Sequence, residues 1–145
     1  MPNLSLSVQF ASKKDQLPSR SQFRKWAKAS LRVDTEMTIR IVDEEEGRAL
    51  NLAYRGKDYA TNVLTFPITE EPHLMGDIII CAPVVIKEAK EQNKPTEAHF
   101  AHLTVHGTLH LHGYDHLNDD QAGLMESIEV TTLMKLGYPS PYIIT

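Results

Sequence analysis

The sequence predicts a single α+β domain, covering residues 1–145, in which helices pack on a small mixed β-sheet. The chain has 145 residues, close to the commonest domain size, and its 41% apolar and 23% charged residues are typical of globular proteins. Segments with the two-residue periodicity of strands alternate with segments that have the periodicity of helices. Their order, β-α-β-α-β-β-α-α-α, predicts one sheet of about four strands packed with about five helices.

The first half of the chain is expected to contain two strands and two helices. Apolar residues alternate over 4–10 and again over 36–42, and each segment is interpreted as a half-buried strand. Between them, Ser19 and Gln22 have the spacing of a capping box, which predicts the start of a helix. Asp43 is placed to cap a second helix, whose first turn holds three glutamates.

Two strands and three helices are expected in the second half. A short strand is predicted over 63–66, where Pro67 should end it. The nearly continuous apolar run over 76–81 predicts a central strand, buried on both faces. The helices that follow are predicted over 83–93, 95–111 and 119–136, with a loop over 138–145.

Composition excludes several classes of protein. The chain has no run of about 18 apolar residues, so no membrane span is expected. The N-terminal sequence lacks the basic start and apolar block of a signal peptide. A single cysteine, Cys81, excludes an internal disulfide and fits the reducing conditions of the cytoplasm. We therefore expect a cytoplasmic protein without a membrane partner.

Charge is unevenly distributed along the chain. The net charge is -4, yet residues 13–32 carry seven basic side chains and one acid. Arg20, Arg24 and Lys28 would form a stripe on one face of the first helix. Such a stripe could bind a nucleic-acid backbone. More commonly, a charged helix face is only exposed to solvent.

Six of the seven histidines lie between residues 99 and 116, and three of them have the spacing of metal ligands. His106 and His110 are four residues apart, so their Cβ atoms would lie about 5–6 Å apart on one helix face. Gly113 can end the helix and turn the chain back, which would bring His116 to the same point. Three imidazoles favour zinc, although nickel, copper and iron also accept them, and three protein ligands leave one tetrahedral position open. The sequence therefore predicts one metal ion held by three histidines.

The remaining histidines of this cluster are interpreted differently. His99 and His102 fall on the same stripe as the expected ligands, one and two turns upstream. Each could support a ligand through a hydrogen bond, but a structural role is the commoner one for such residues. His112 points away from the stripe and is expected to be exposed.

The histidine spacing equals that of the metzincin proteases, with one difference. Those enzymes have a glutamate directly after the first histidine as general base, and this chain has Gly107 there. Glycine cannot accept a proton, so peptidase chemistry is not expected. Two alternatives remain at this point: a metal-dependent hydrolase of another substrate, such as peptides or small amides, and a non-catalytic protein with a structural zinc.

Three motifs together resemble those of one enzyme family. The segments YRGKDYATNVLTFP, MGDIIIC and HGTLHLHGYDH occur in that order, and they are similar to the YbeY family of bacterial rRNA-maturation metallo-endoribonucleases. The match extends from Leu52 to about Leu136. The resemblance implies a zinc-dependent, single-strand-specific endoribonuclease that acts in maturation of the 16S rRNA 3′ end and in ribosome quality control. It also implies contacts with the small ribosomal subunit and with assembly factors, one of them a GTPase.

The same resemblance assigns roles to individual residues. It implies that His106, His110 and His116 are the ligands of a zinc ion at a cleft and that Arg55 is the functional arginine. An arginine can donate two charge-assisted hydrogen bonds to a phosphate, but Arg55 could also face the negative end of a helix dipole. Asp115, beside the third histidine, could orient a ligand imidazole or manage a proton, and could equally be a turn residue. Arg55 and Asp115 are the candidate catalytic residues.

Overall fold

Four strands form one mixed sheet in the computed structural model, which describes residues 2–142. β1 pairs with β2 and β2 with β4 in parallel, whereas β3 is antiparallel to β4. The order across the sheet is β1-β2-β4-β3, so β2 and β4 are central. The strands are β1 (Leu4–Ala11), β2 (Thr35–Val42), β3 (Val63–Thr69) and β4 (Leu74–Cys81).

Five helices accompany the sheet within the same residues, which confirms the predicted α+β fold class. They are α1 (Arg20–Ala29), α2 (Glu44–Arg55), α3 (Ala82–Glu91), α4 (Thr96–Leu111) and α5 (Asp119–Lys135). None of these helices combines the length and hydrophobicity that crossing a bilayer requires. Of the loop expected at the end of the chain, residues 143–145 lie outside the described part.

Two predictions about helix starts have different outcomes. The capping box of α1 is confirmed, since Ser19 Oγ accepts from the Gln22 amide at 3.2 Å and Gln22 Oε1 accepts from the Ser19 amide at 2.9 Å. The predicted side-chain cap on α2 is wrong. Asp43 occupies the cap position, but its carboxylate accepts hydrogen bonds from the Ser12 hydroxyl and the Lys13 amide instead. These contacts lower the pKa of Asp43.

The predicted end of β3 at Pro67 is also wrong. Pro67 lies inside the strand opposite Gly76, and pairing resumes at Thr69 after a shift in register. Proline is tolerated there because β3 is an edge strand, where a missing N–H need not break a ladder hydrogen bond. The local sequence of a strand does not indicate whether the strand lies at the edge of its sheet.

Helix α4 lies at the centre of the fold. It contacts α1, α3, α5, β3 and β4, and its residues Phe100, Val105 and Leu109 are fully buried. A helix enclosed on nearly all sides is apolar nearly all round. Phe23 of α1 joins this core through edge-to-face contacts with Phe100 and with Trp26, at ring-centroid distances of 6.2 and 5.5 Å.

The basic stripe of α1 lies against the outer edge of the sheet. Arg24 donates to the Leu4 carbonyl at 3.2 Å, and Arg20 reaches the Val8 carbonyl at 3.4 Å. Both carbonyls belong to β1, the edge strand, whose outward backbone groups would otherwise meet only water. These contacts favour a role for the two arginines in covering the sheet edge.

His99 joins α4 to α3 in the interior. The His99 side chain is buried, and its Nε2–H donates to Glu88 Oε1 at 2.8 Å. Asn62 donates to the same oxygen at 3.0 Å. Burial lowers the pKa of His99 below its ordinary value, and the hydrogen bond to Glu88 offsets only part of that effect. This placement is that of a structural histidine.

The lowered pKa of His99 makes a contribution to stability that depends on pH. In the unfolded chain His99 binds a proton near pH 6.5, whereas in the folded chain it does so only at a lower pH. The free energy of unfolding therefore decreases as the pH falls below about 6.5. We expect His99→Gln to flatten the dependence of the unfolding free energy on pH below about pH 6.5, by up to about 1.4 kcal/mol per pH unit. Urea unfolding at several pH values measures it. A slope equal to that of the wild type would contradict the assignment.

Candidate metal centre

Three histidine side chains converge at the end of α4. Their candidate ligand atoms, one from each of His106, His110 and His116, all lie within 4.8 Å of one another. The Nε2 atoms of His106 and His110 are 3.1 Å apart. Two nitrogen ligands of a tetrahedral zinc, each about 2.0–2.1 Å from the ion, would be about 3.3 Å apart. The geometry therefore fits one ion with only a small adjustment of the rings.

Helix periodicity and a glycine turn bring the three residues together. His106 and His110 lie one turn apart on α4, as predicted. The helix ends at Gly113, whose positive φ of 93° is accessible to glycine without strain. Hydrogen bonds from Gly113 to the His110 carbonyl and from Tyr114 to the Leu109 carbonyl close this turn. The chain then returns and carries His116 to the other two histidines.

The environment of His110 favours the form of histidine that binds metals. Burial lowers its pKa, and the neighbouring imidazoles of His106 and His116 lower it further. His110 is therefore neutral at pH 7, and a neutral imidazole has the free lone pair that a metal requires. His116 is exposed, so the centre is open to solvent on that side.

Asp115 contacts the third histidine chiefly through the backbone. Its Oδ1 accepts from the His116 amide at 2.7 Å, whereas the His116 Nδ1 atom lies 3.8 Å away. The first distance is a good hydrogen bond and the second is too long for one. This contact matches the alternative in which Asp115 is a turn residue. Its catalytic role remains a prediction.

A cleft runs from the three histidines to the end of α2, with a volume of about 590 Å³. Arg55 and Tyr54 line it on one side and β3 lines it on another. The other lining residues are Thr61, Asn62, Val63, Leu64, Thr65, Phe66, His106, His110 and His116. The structure thus places the predicted arginine and the predicted metal ligands in one site.

The loop that follows Arg55 is held by side chains from α2. Asn51 is fully buried, and its Nδ2 donates to the Tyr59 carbonyl at 2.8 Å. Arg48 donates two hydrogen bonds, of 2.6 and 2.9 Å, to the carboxylate of Asp58. Arg55 itself is exposed, and among residues 2–142 it forms no ion pair. Its guanidinium is therefore available to a ligand in the cleft.

Sequence reasoning missed Glu129, which lies directly behind His106. Its fully buried carboxylate accepts hydrogen bonds from His106 Nδ1 at 2.5 Å, from His102 Nε2 at 3.1 Å and from the Tyr142 hydroxyl at 2.5 Å. Burial by itself would raise the pKa of Glu129, but these hydrogen bonds outweigh it and lower the pKa to about 2. The carboxylate is therefore charged at neutral pH.

A signal for Glu129 is present in the sequence of α5. Glu129 stands four residues after Met125 and four before Leu133, and both of those side chains are buried. The spacing places the acid in the middle of the apolar stripe of the helix. Buried carboxylates are nearly always paired, so this position indicates a partner elsewhere in the fold.

His112 is not exposed as predicted. The side chain is half-buried: its Nδ1–H donates to the Thr108 carbonyl at 2.8 Å, and its Nε2 accepts from the Arg32 amide at 3.2 Å. The helix stripe does point it away from the metal site, but the loop after α1 covers it. The sequence of α4 alone could not indicate that contact.

Gly107 faces the sheet beside the cleft, since its neighbours are Ile78 of β4 and Thr65 of β3, and Thr65 also lines the cleft. A Cβ atom at this position would lie 3.1 Å from Ile78 Cδ1 and 3.4 Å from Thr65 Cγ2. Both distances are shorter than, or at the lower limit of, ordinary van der Waals contact. The glycine therefore allows α4 to approach β3 and β4 closely, and a longer side chain here would point into the sheet.

We expect Gly107→Ala to lower the free energy of unfolding by about 1–3 kcal/mol, because overpacking against the sheet outweighs the better helix propensity of alanine. Gly123→Ala on α5 is the matched control, since nothing lies within 4 Å of a Cβ there. It should be neutral or stabilising by up to about 1 kcal/mol. Chemical denaturation measures both, and equal effects at the two glycines would contradict the close approach.

Comparison with known proteins identifies relatives over nearly the whole chain. A sequence profile of the family described as Endoribonuclease YbeY matches residues 7–137. Endoribonuclease YbeY of Methylobacillus flagellatus is 69% identical over 142 residues, covering 98% of this chain and 95% of that protein. The protein of the same name from Nitrosomonas europaea is 52% identical, covering 97% of this chain and 86% of its own.

A solved structure agrees with the fold. The solution structure of a Thermotoga maritima protein superposes with a TM-score of 0.66 and 29% identity, covering 90% of this chain and 88% of the other. The family resemblance carried by the three motifs is thereby confirmed, and so is the predicted enzyme class, a hydrolytic nuclease. The chain belongs to the endoribonuclease YbeY family.

Proposed function

We propose that this chain is a zinc-dependent endoribonuclease that cleaves single-stranded RNA. Its proposed substrate is ribosomal RNA, during maturation of the 16S rRNA 3′ end and in ribosome quality control. The observation that carries the proposal is the convergence of His106, His110 and His116 in a cleft that Arg55 also lines. Membership of the endoribonuclease family supports the reaction class.

The donor set supports zinc as the metal. Nitrogen ligands suit zinc and its transition-metal neighbours, whereas magnesium and calcium prefer oxygen. The three histidine nitrogens leave a fourth position open towards the cleft, which is the arrangement of catalytic zinc sites. When bound, such an ion supplies Lewis acidity that polarises a phosphoryl oxygen and activates water.

Arg55 is proposed to bind the phosphate that is cleaved. A guanidinium can donate two parallel hydrogen bonds to the non-bridging oxygens of a phosphodiester and offset their charge. Its place at the end of α2, with the following loop tied to Asn51 and Arg48, holds its backbone in position while its head stays free. The charge that develops on the phosphate during cleavage would strengthen this contact.

Tyr54 supports the preference for single strands. Its ring is 67% exposed at the cleft and meets Phe66 edge-on, with ring centroids 5.0 Å apart. An exposed aromatic face can stack on an RNA base, and such stacking is worth about 1–3 kcal/mol per base. Only an unpaired base has a face available for it.

The remaining parts of the proposal rest on the family resemblance. They are the contacts with the small ribosomal subunit and assembly factors. Action in the cytoplasm is proposed from the single cysteine, which fits a reducing compartment. The two alternative functions fit the geometry less well. A metzincin-type peptidase would need a general base directly after His106, and the residue there is Gly107, which packs against Ile78. A structural zinc site would need a fourth ligand.

Purified protein is expected to carry about one transition-metal ion per chain, and His110→Ala is expected to lose it. Removing one of three ligands lowers the affinity for the metal and leaves its coordination incomplete, so RNA cleavage should be lost together with the metal. His73→Ala is the control, because His73 lies outside the cleft. Elemental analysis measures the metal content. A wild-type protein that contains no metal and gains no RNA cleavage on addition of zinc would contradict the proposed metal centre.

Arg55→Ala is expected to retain the metal and the fold but to lower cleavage of single-stranded RNA by about 100-fold or more. The reason is the loss of the charge-assisted hydrogen bonds to the phosphate. Lys87→Ala on α3 serves as the control for the loss of one positive charge, since its exposed ion pair with Glu91 contributes little. Cleavage of a labelled RNA under single-turnover conditions is the measurement. A normal rate for Arg55→Ala would remove its assigned role.

A further inference from the structure

The two oxygens of the Glu129 carboxylate have different partners. Oε1 accepts from His106 Nδ1 at 2.5 Å. Oε2 accepts from His102 Nε2 at 3.1 Å and from the Tyr142 hydroxyl at 2.5 Å. Among residues 2–142, no lysine or arginine forms an ion pair with it. The carboxylate is thus surrounded by imidazoles and a phenol, with one oxygen assigned to a candidate metal ligand.

Such a carboxylate is costly unless its position serves a purpose. The side chain is fully buried, and transfer of a charge out of water has a large free-energy cost that its hydrogen-bond partners must offset. A neutral amide of the same shape could satisfy similar hydrogen bonds at lower cost. The negative charge itself is therefore the feature to be explained.

The contact with His106 determines which ring nitrogen carries the proton. A carboxylate can only accept, so His106 Nδ1 must be the donor. The lone pair is then on Nε2, the atom that lies 3.1 Å from His110 Nε2 at the candidate metal centre. Because the hydrogen bond spans the ring, it also restrains the ring orientation.

We propose that Glu129 is a positioning residue of the metal centre, which fixes the tautomer and the orientation of His106 for ligation. His102 and Tyr142 occupy Oε2 and so keep Oε1 directed at His106. This inference rests on the proposed function, since it concerns a ligand of the proposed ion. A carboxylate behind a ligand histidine typically contributes about 10–100-fold to metal affinity.

A second metal ion at Glu129 explains the contacts less well. The ligand atoms of His102, His106 and Glu129 also lie within 4.8 Å of one another. Their separations from the carboxylate, 3.1 and 2.5 Å, are those of hydrogen bonds. The Tyr142 hydroxyl takes up the remaining space on Oε2. These contacts describe a hydrogen-bond network around the carboxylate.

The test compares Glu129→Gln with Glu126→Gln. Glu126 is exposed on the same helix and takes part in none of these hydrogen bonds, so the control makes the same change of charge without removing a contact of Glu129. Zinc affinity is measured by competition with a chromophoric chelator, and the cobalt-substituted proteins are compared by their visible spectra. Glu129→Gln should bind zinc about 10–100-fold more weakly and show an altered cobalt spectrum. Glu126→Gln should match the wild type in both.

Nitrogen NMR of the metal-free proteins gives a readout that does not depend on activity. In the wild type, His106 Nδ1 should carry the proton. In Glu129→Leu, which has no acceptor, the proton should redistribute to Nε2. If the leucine variant does not fold, Glu129→Gln, which keeps the shape and one acceptor, still provides the affinity test.

Two outcomes separate this inference from the proposed function. If the wild type binds zinc and Glu129→Gln binds it equally well with an unchanged cobalt spectrum, Glu129 has only a structural role and the inference is overturned alone. If the wild type binds no transition metal, the proposed metal centre is overturned and the inference with it. A loss of zinc affinity confined to Glu129→Gln supports both.

Discussion

The structure depends on one constraint: helix α4 must be buried on nearly every side and still leave one face open. Contact with the sheet sets its position. A Cβ atom at Gly76 of β4 would lie 2.4 Å from Leu111 Cδ2, so the end of α4 sits directly on the backbone of that strand. Helix–sheet contact this close determines the rotation of the helix. With that rotation set, His106 and His110 lie on the face of the helix that lines the cleft.

The site combines side chains held with different degrees of restraint. Two candidate ligands come from a helix within the core, and the third comes from a turn whose geometry depends on Gly113. Arg55 comes from the exposed end of α2. Groups that must keep a fixed geometry around an ion benefit from a rigid element, whereas a group that follows a moving phosphate benefits from freedom of its side chain. The distribution of residues between core and surface matches these two needs.

Much of the fold could be predicted because local periodicity and the required contacts agree. The capping box of α1, the turn at Gly113 and the convergence of the histidines on α4 each depend on residues close together in sequence. Features that depend on distant neighbours could not be predicted. The position of Pro67 within β3 requires knowledge of the sheet edge, and the burial of His112 requires knowledge of the loop after α1.

Glu129 is the clearest case of this limit. It lies 23 residues after His106, the ligand candidate that it contacts, and no spacing rule connects two helices across a turn of variable length. The apolar stripe of α5 indicates that the Glu129 carboxylate has a hydrogen-bond partner in the core, but it does not indicate which residue that is. Three candidates of the right type, His99, His102 and His106, follow one another along the same helix.

The contact of Gly107 with Ile78 also bears on how enzyme chemistries can diverge. This chain shares the spacing of its three histidines with the metzincin peptidases. At first sight a single substitution, glutamate for Gly107, separates the two sites. In this fold a side chain at that position would first meet Ile78 and Thr65 of the sheet, so the exchange would require α4 to move away from the sheet. A shared ligand spacing is therefore not a short evolutionary path between the two reactions.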